Sequence, residues 1–202
     1  FRLAEATNHY FKHLGVSDGL SQVCIPSIYQ DELGAVWLGT TEGLNRYNGK
    51  DVKVFQPSES NNGLTNNEVN ELCGDKNGRM YIRSGNDLIK LDIYTEQFTC
   101  LRQKGVYGLF CKKDTLWVSC ADGIYYYTGQ GTELTFFARV QKGFVGRALY
   151  VDKETVWVVT RKYLVAISRE DPLRQEILLT LDKGNCILGD SSGNIWVGAW
   201  NG

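Results

Sequence analysis

A strand-forming aromatic returns about every 40 residues along this chain, at Trp37, Tyr81, Trp117, Trp157 and Trp196. A span of that length is what a four-stranded antiparallel sheet and its turns consume, and stacking such sheets radially gives a β-propeller. Few other arrangements accommodate such a period, and any function must then be sought on the rims.

The surroundings of the aromatics repeat as well. Leu20 and Leu64 stand at the same distance ahead of Trp37 and Tyr81, each preceded by glycine (Gly19, Gly63) and followed by a hydroxyl residue (Ser21, Thr65). The run Asp31-Glu-Leu-Gly34-Ala-Val-Trp37 is answered by Asp75-Lys-Asn-Gly78-Arg-Met-Tyr81 and again by Asp190-Ser-Ser-Gly193-Asn-Ile-Trp196. The third and fourth copies, Lys113-Asp-Thr-Leu-Trp117 and Lys153-Glu-Thr-Val-Trp157, keep the aromatic strand and shorten the turn before it.

The spacing predicts an all-β chain with blades over about residues 25–56, 69–101, 106–138 and 146–180. A leading outermost strand is expected over 9–14, and a fifth blade begins within 185–202. Asn48-Gly49 reads as a hairpin turn with positive φ at both central positions. With the strands of a blade lettered A to D, the A–B and C–D turns fall on one rim, and the B–C and D–A connections on the other. The second rim carries the irregular segments, such as 57–68, and ligand contact is expected there. The unbalanced ends suggest part of a longer protein.

Composition fits this reading: 22 glycines, 3 prolines, 11 Tyr, 8 Phe and 5 Trp suit short strands joined by glycine turns. A net charge of −1, with no Lys/Arg-rich stripe, lacks the electrostatic footprint of a nucleic-acid binder. No apolar run approaches the roughly 18 to 20 residues of a membrane span. The six cysteines contain no C-x-x-C pair, and most sit in apolar strand patterns, which predicts free thiols acting as small buried hydrophobes, with one or two disulfides as the alternative.

Several apparent motifs fail on context. Gly15-Val-Ser17-Asp-Gly19 fits the expression of a hydrolase nucleophile elbow, yet both histidines, His9 and His13, precede Ser17 and no strand-to-helix turn surrounds it. The Asp-x-x-Gly runs lack the distal carboxylates of a calcium loop and read as turns whose Asp caps its own backbone. His9 and His13 read as surface residues on a strand rather than metal ligands.

Two departures from the repeat point elsewhere. Arg83 stands where the other repeats have Gly39, Ser119, Val159 and Gly198, and Arg161-Lys162 replaces connections such as Thr41-Glu42. Arg147 opens the fourth strand A beside the channel, and Trp200 occupies the turn equivalent to that of Arg161. Arginine forks and an apolar platform suit sugars and anions, so Arg83, Arg147, Arg161 and Trp200 are the candidate ligand-binding set.

The residues Asp18-Gly-Leu-Ser21, Ile28-Tyr-Gln-Asp31, Gly34-Ala-Val-Trp37-Leu-Gly-Thr40 and Glu42-Gly-Leu-Asn-Arg-Tyr47-Asn-Gly49 resemble the two-component-regulator propeller repeat. Nearly the whole chain is similar to the N-terminal sensor region of hybrid two-component systems of gut Bacteroidetes. The resemblance implies periplasmic seven-bladed propellers, commonly in tandem, as the ectodomain of an inner-membrane protein, followed by a β-domain, a membrane helix, histidine kinase modules and a DNA-binding receiver portion. It further implies a homodimeric full-length sensor that detects oligosaccharides and controls polysaccharide-utilisation genes. The segment itself is expected to be no enzyme, to need no cofactor or metal, and to touch its neighbouring blades and a small ligand, with no direct nucleic-acid or membrane contact. A protein-docking scaffold and a propeller lyase or hydrolase are the rival readings.

Overall fold

The computed structural model describes residues 12–57 and 63–200. Four four-stranded antiparallel meanders and one two-stranded sheet follow one another along the chain. The first sheet comprises β1 (Ser27–Gln30), β2 (Val36–Thr40), β3 (Gly43–Tyr47) and β4 (Val52–Phe55). The second is β5 (Val69–Gly74), β6 (Arg79–Ser84), β7 (Asp87–Asp92) and β8 (Gln97–Arg102). The third is β9 (Val106–Lys112), β10 (Thr115–Cys120), β11 (Gly123–Tyr127) and β12 (Thr135–Ala138). The fourth is β13 (Gly146–Val151), β14 (Thr155–Thr160), β15 (Tyr163–Ser168) and β16 (Gln175–Thr180), and the last holds β17 (Gly184–Gly189) and β18 (Ile195–Ala199). The first strands β1, β5, β9, β13 and β17 touch in succession, so they line the centre of an arc.

The core is divided among the gaps between sheets. Trp37 and Leu44 of the first sheet pack with Leu72, Met80, Ile82, Ile89 and Leu91 of the second. Tyr81 and Leu88 of the second pack with Leu109, Leu116, Val118 and Tyr127 of the third. Trp117 and Ile124 of the third pack with Leu149, Val151, Val156, Val158, Val165 and Ile167 of the fourth. Each central aromatic therefore covers the following sheet. In the second, third and fourth sheets the second strand is apolar on both faces because a neighbour lies on either side, which explains why β10 and β14 read Leu-Trp-Val and Val-Trp-Val-Val without alternation.

The sequence pattern makes Trp37, Trp117, Trp157 and Trp196 alike and predicts all four as core between sheets, which the same geometry corrects. Trp37 is fully buried and Trp117 is 5% exposed, but Trp157 is only half-buried and Trp196 is 62% exposed. Trp157 faces a sheet of two strands, and among the described residues no sheet covers Trp196. The cysteines follow a similar logic. All six are free, but only Cys120 is buried; Cys73 and Cys111 are half-buried, while Cys24 precedes β1, Cys100 lies on an outermost strand, Cys186 lies on the uncovered sheet, and all three are exposed.

The A–B turns are held by their aspartates. Asp31 Oδ1 accepts the Leu33 and Ala35 amides at 3.0 and 2.9 Å, while its Oδ2 accepts Trp37 Nε1 at 2.7 Å. Asp190 repeats this with the Ser192 and Asn194 amides and Trp196 Nε1, and Asp152 does so in the clipped fourth turn with Glu154, Thr155 and Trp157. The second repeat differs: Asp75 pairs with Arg79, and the Tyr81 hydroxyl is buried without a hydrogen-bond partner among the described residues. These carboxylates serve turns, as the sequence indicates, and also lock the next strand's indole.

At Asn48-Gly49 only Gly49 takes a positive φ, of 97°. Tyr47 pairs with Val52 across four loop residues, and Asn48 Oδ1 accepts the Lys50 and Asp51 amides, so the asparagine shapes a longer loop by its side chain. Gly15 to Gly19 forms a single 3-10 turn over Val16–Asp18 rather than a strand-to-helix elbow. Of the strand expected over 9–14, residues 9–11 (including His9) lie outside the described residues, and residues 12–14 have no strand geometry. The middle of the 57–68 connection and the last two residues of the fifth repeat are likewise outside them.

Two measurements check this account. In chemical denaturation of the 202-residue chain, Trp37→Ala is expected to cost about 3–5 kcal/mol, whereas Trp196→Ala, which loses an exposed ring and its hydrogen bond to Asp190, costs about 1 kcal/mol. Acid titration tests the turns. The Trp196 indole and the Asn194 side chain and amide lower Asp190 from 3.8 to about 2. For Asp152, burial pulls the carboxyl upward, but the Trp157 indole and the Glu154 and Thr155 amides outweigh it and the net shift is downward. Stabilisation from such groups is complete above the ordinary carboxylate value and is lost as pH falls through the lowered one. The melting temperature of Asp152→Asn or Asp190→Asn is therefore expected to fall less than that of the parent between about pH 4 and pH 2.

Candidate functional site

The rim bearing the B–C and D–A connections is tied together by main-chain bonds between successive blades. The Gly43 amide donates to the Asn67 carbonyl at 2.7 Å, Val106 to Asn86 at 3.0 Å, and Gly184 to Arg161 at 3.0 Å. Buried hydroxyls at the ends of the second strands reinforce it: Thr40 donates to the Gly43 carbonyl, Ser84 to Asn66 and Thr160 to Tyr163. The backbone under the candidate residues is thus fixed, which is what a preorganised site requires.

Three adjoining clefts open on this rim. The largest, about 690 Å³, sits over the inner strands with Glu71, Arg83, Tyr107, Arg147 and Asn185 in its walls. A second, about 410 Å³, lies between the connection entering the fourth sheet and that sheet's B–C turn, lined by Tyr107, Phe144, Arg147, Thr160, Arg161 and Lys162. The third, about 230 Å³, is walled by Arg147, Arg161, Lys183, Asn185 and Trp200. Arg147 borders all three.

Close approach of the inner strands puts Arg147 there. A Cβ on Gly146 would lie 2.6 Å from Ser119 Oγ and 2.7 Å from Val158 Cγ1, so only glycine lets β13 start hard against the third sheet, where Ser119 donates to the Gly146 carbonyl at 2.9 Å. Gly184 makes the same approach one blade on, since its Cβ would meet the Thr160 carbonyl at 2.5 Å. Arg147, Arg161 and Lys183 project from these fixed points and are exposed. Phe144 packs against Tyr163 with the rings tilted by 45° and their centroids 4.8 Å apart, giving the second cleft a firm aromatic wall.

The structure brings Arg147, Arg161 and Trp200 together in one cleft and sets Arg83 apart. Arg83 shares only the central cleft with Arg147, and its guanidinium is engaged: Nε donates to Glu71 Oε2 and Nη1 to the Gly85 carbonyl, both at 3.2 Å. Burial pushes the Glu71 carboxyl above its ordinary value, and the Arg83 charge and the Leu109 amide pull it back. Arg83 thereby compensates a carboxylate on the neighbouring strand. The register pairs Glu71 with Arg83, so a cross-strand charge pair was a signal the sequence held.

The sequence reading missed Lys183, Tyr107 and Phe144. Lys183 takes a left-handed turn conformation, with φ 52°, and its Nζ stands 5.6 Å from the centre of the Trp200 ring, so the indole is shared with a cation as well as being 78% exposed. Nothing in the repeat marks these residues: Phe144 and Lys183 come from connections that differ between blades, and Tyr107 stands near the start of the inner strand β9, where the other blades carry different residues. His13 is exposed and lines none of the three clefts.

Residues 19–42 match the family model of the two component regulator propeller. A curated histidine kinase of Formosa agariphila is 40% identical over 53 residues, which are 26% of this chain and 4% of that protein. Among solved structures, the chain is similar to an extracellular domain described as that of a hybrid two component system of B. thetaiotaomicron, with a TM-score of 0.81 and 22% identity over 95% of this chain and 29% of that one. A second such domain from the same organism gives 0.69 at 20% identity, over 90% and 26% of the two chains. The virginiamycin B lyase of Staphylococcus aureus also reaches 0.69, at 13% identity over 90% of this chain and 64% of that one. These likenesses establish the propeller fold, and the chain spans less than a third of the two sensor domains it matches.

The division of labour on the rim has a measurable consequence. Arg83→Ala leaves Glu71 without its charge partner and is expected to cost about 1–3 kcal/mol in denaturant unfolding, while Arg161→Ala changes stability by about 0.5 kcal/mol or less.

Proposed function

We propose that this chain is a ligand-sensing propeller segment of a hybrid two-component sensor histidine kinase and response regulator. It lies on the periplasmic side as part of a membrane protein's ectodomain, and the whole sensor works as a homodimer. Its ligand is an oligosaccharide, and the response is expression of polysaccharide-utilisation genes. The two component regulator propeller match at residues 19–42, the similarity to a histidine kinase and the likeness to extracellular sensor domains all support this reading.

The observation that carries the ligand role is the convergence of Arg147, Arg161 and Trp200 on one cleft beside an aromatic-walled second cleft. Fixed donors beside an apolar face are what a sugar ring needs, with hydroxyls on its edge and C–H groups on its face. The same fold hosts a lyase in another protein, so the site rather than the fold decides between sensor and enzyme.

The test is a transcriptional reporter in a cell carrying the complete sensor, exposed to a panel of polysaccharide digests. An oligosaccharide-dependent signal is expected from the parent and is lost when Arg147, Arg161 and Trp200 are all replaced by alanine, with sensor levels unchanged. A parent that answers no digest, or a triple variant that answers as the parent does, overturns the proposal.

A further inference from the structure

The clefts carry a charge imbalance that the chain as a whole conceals. Net charge is −1, yet Arg83, Arg147, Arg161, Lys162 and Lys183 line the three clefts, and among the described lining residues the one carboxylate is Glu71, which Arg83 already holds. Among the described residues no carboxylate is ion-paired with Arg147, Arg161 or Lys183. By contrast, outside the clefts Arg46, Lys53, Arg79 and Arg102 find acidic partners among the described residues. Like charges gathered on a rigid backbone set up a positive field over the clefts that an anion would neutralise.

We infer that the ligand is an acidic oligosaccharide, bound with one oxyanion group, a uronate carboxylate or a sulfate ester, between Arg147 and Arg161. The two arginines form the shared wall of the 410 and 230 Å³ clefts. A chain running across that wall puts one sugar beside Tyr107 and Phe144 and the next beside Trp200, with the acid at the junction. Both guanidiniums offer planar forks that match a carboxylate or sulfate, and their charge is permanent, so recognition holds across the physiological pH range. Lys162 and Lys183 add field at either end of the track. Neutral sugars leave this cluster uncompensated and are disfavoured, which gives the site selectivity by charge.

This assignment rests on the sensor reading above, and the experiment separates the two. The complete ectodomain is titrated calorimetrically with three classes of size-matched oligosaccharides: neutral, uronate-containing and sulfated, at about 20 and 200 mM salt. Parallel titrations use Arg147→Gln and Arg161→Gln, whose melting curves are expected to match the parent because both side chains are exposed. Members of an acidic class are expected to bind, to weaken at higher salt, and to lose about tenfold or more in affinity in either variant. Which acidic class binds distinguishes carboxylate from sulfate. Binding confined to neutral members, or acidic binding unchanged in both variants, overturns the acid assignment and leaves the oligosaccharide sensor standing. Silence from all three classes overturns both.

Discussion

Burial of each sheet's face against the next governs everything else in this molecule. No sheet here has a core of its own; the apolar residues belong to the gaps, with an aromatic from the second strand filling the centre of each. That arrangement makes neighbouring sheets mutually dependent, as in any stack of repeats that cannot bury a face alone. It also grades the tryptophans, from Trp37 with a complete sheet over it to Trp196 with none among the described residues. Side-chain identity is the same at both; the neighbour decides the environment.

The two rims divide structure from recognition. On one, the turn aspartates are consumed by backbone amides and by the indole six or five residues on, so carboxylates that look available for metal or acid–base chemistry are already committed. On the other, main-chain bonds between blades free the side chains from holding the rim together. Arg83 is the exception, since it answers a half-buried carboxylate on the adjacent strand. Of the remaining cations, Arg161, Lys162 and Lys183 stand on connections and Arg147 at the start of β13, all exposed above a fixed backbone.

Anchored placement of flexible cations also suits a sensor. An anion that draws Arg147 of β13 and the Arg161 turn towards Lys183 and Trp200 bridges the fourth and fifth sheets, whose connections already share a hydrogen bond between Gly184 and Arg161. On the proposed reading, occupancy of the cleft would be coupled to the packing of one sheet on the next. Adjacent sheets are the elements through which a propeller passes strain, because each touches only its neighbours.

Much of this architecture was legible in the sequence because propeller blades are local. The aromatic near each forty-residue mark, the glycine turns and the Asp-x-x-Gly caps depend on residues close in the chain, and they fixed the sheets and the turn role of Asp31, Asp75 and Asp190. The break at Arg83 and the B–C positions of Arg161 and Trp200 were also visible, as departures from a pattern. What the sequence could not decide were properties that depend on which surfaces meet: the exposure of Trp196 and Cys186, the commitment of Arg83 to Glu71, and the cationic track completed by Lys183 and Arg147 from different blades. A repeat writes its own strands and turns locally, whereas burial and charge neighbourhood are set across the gap between sheets, where residues far apart in sequence come together only once the stack has formed.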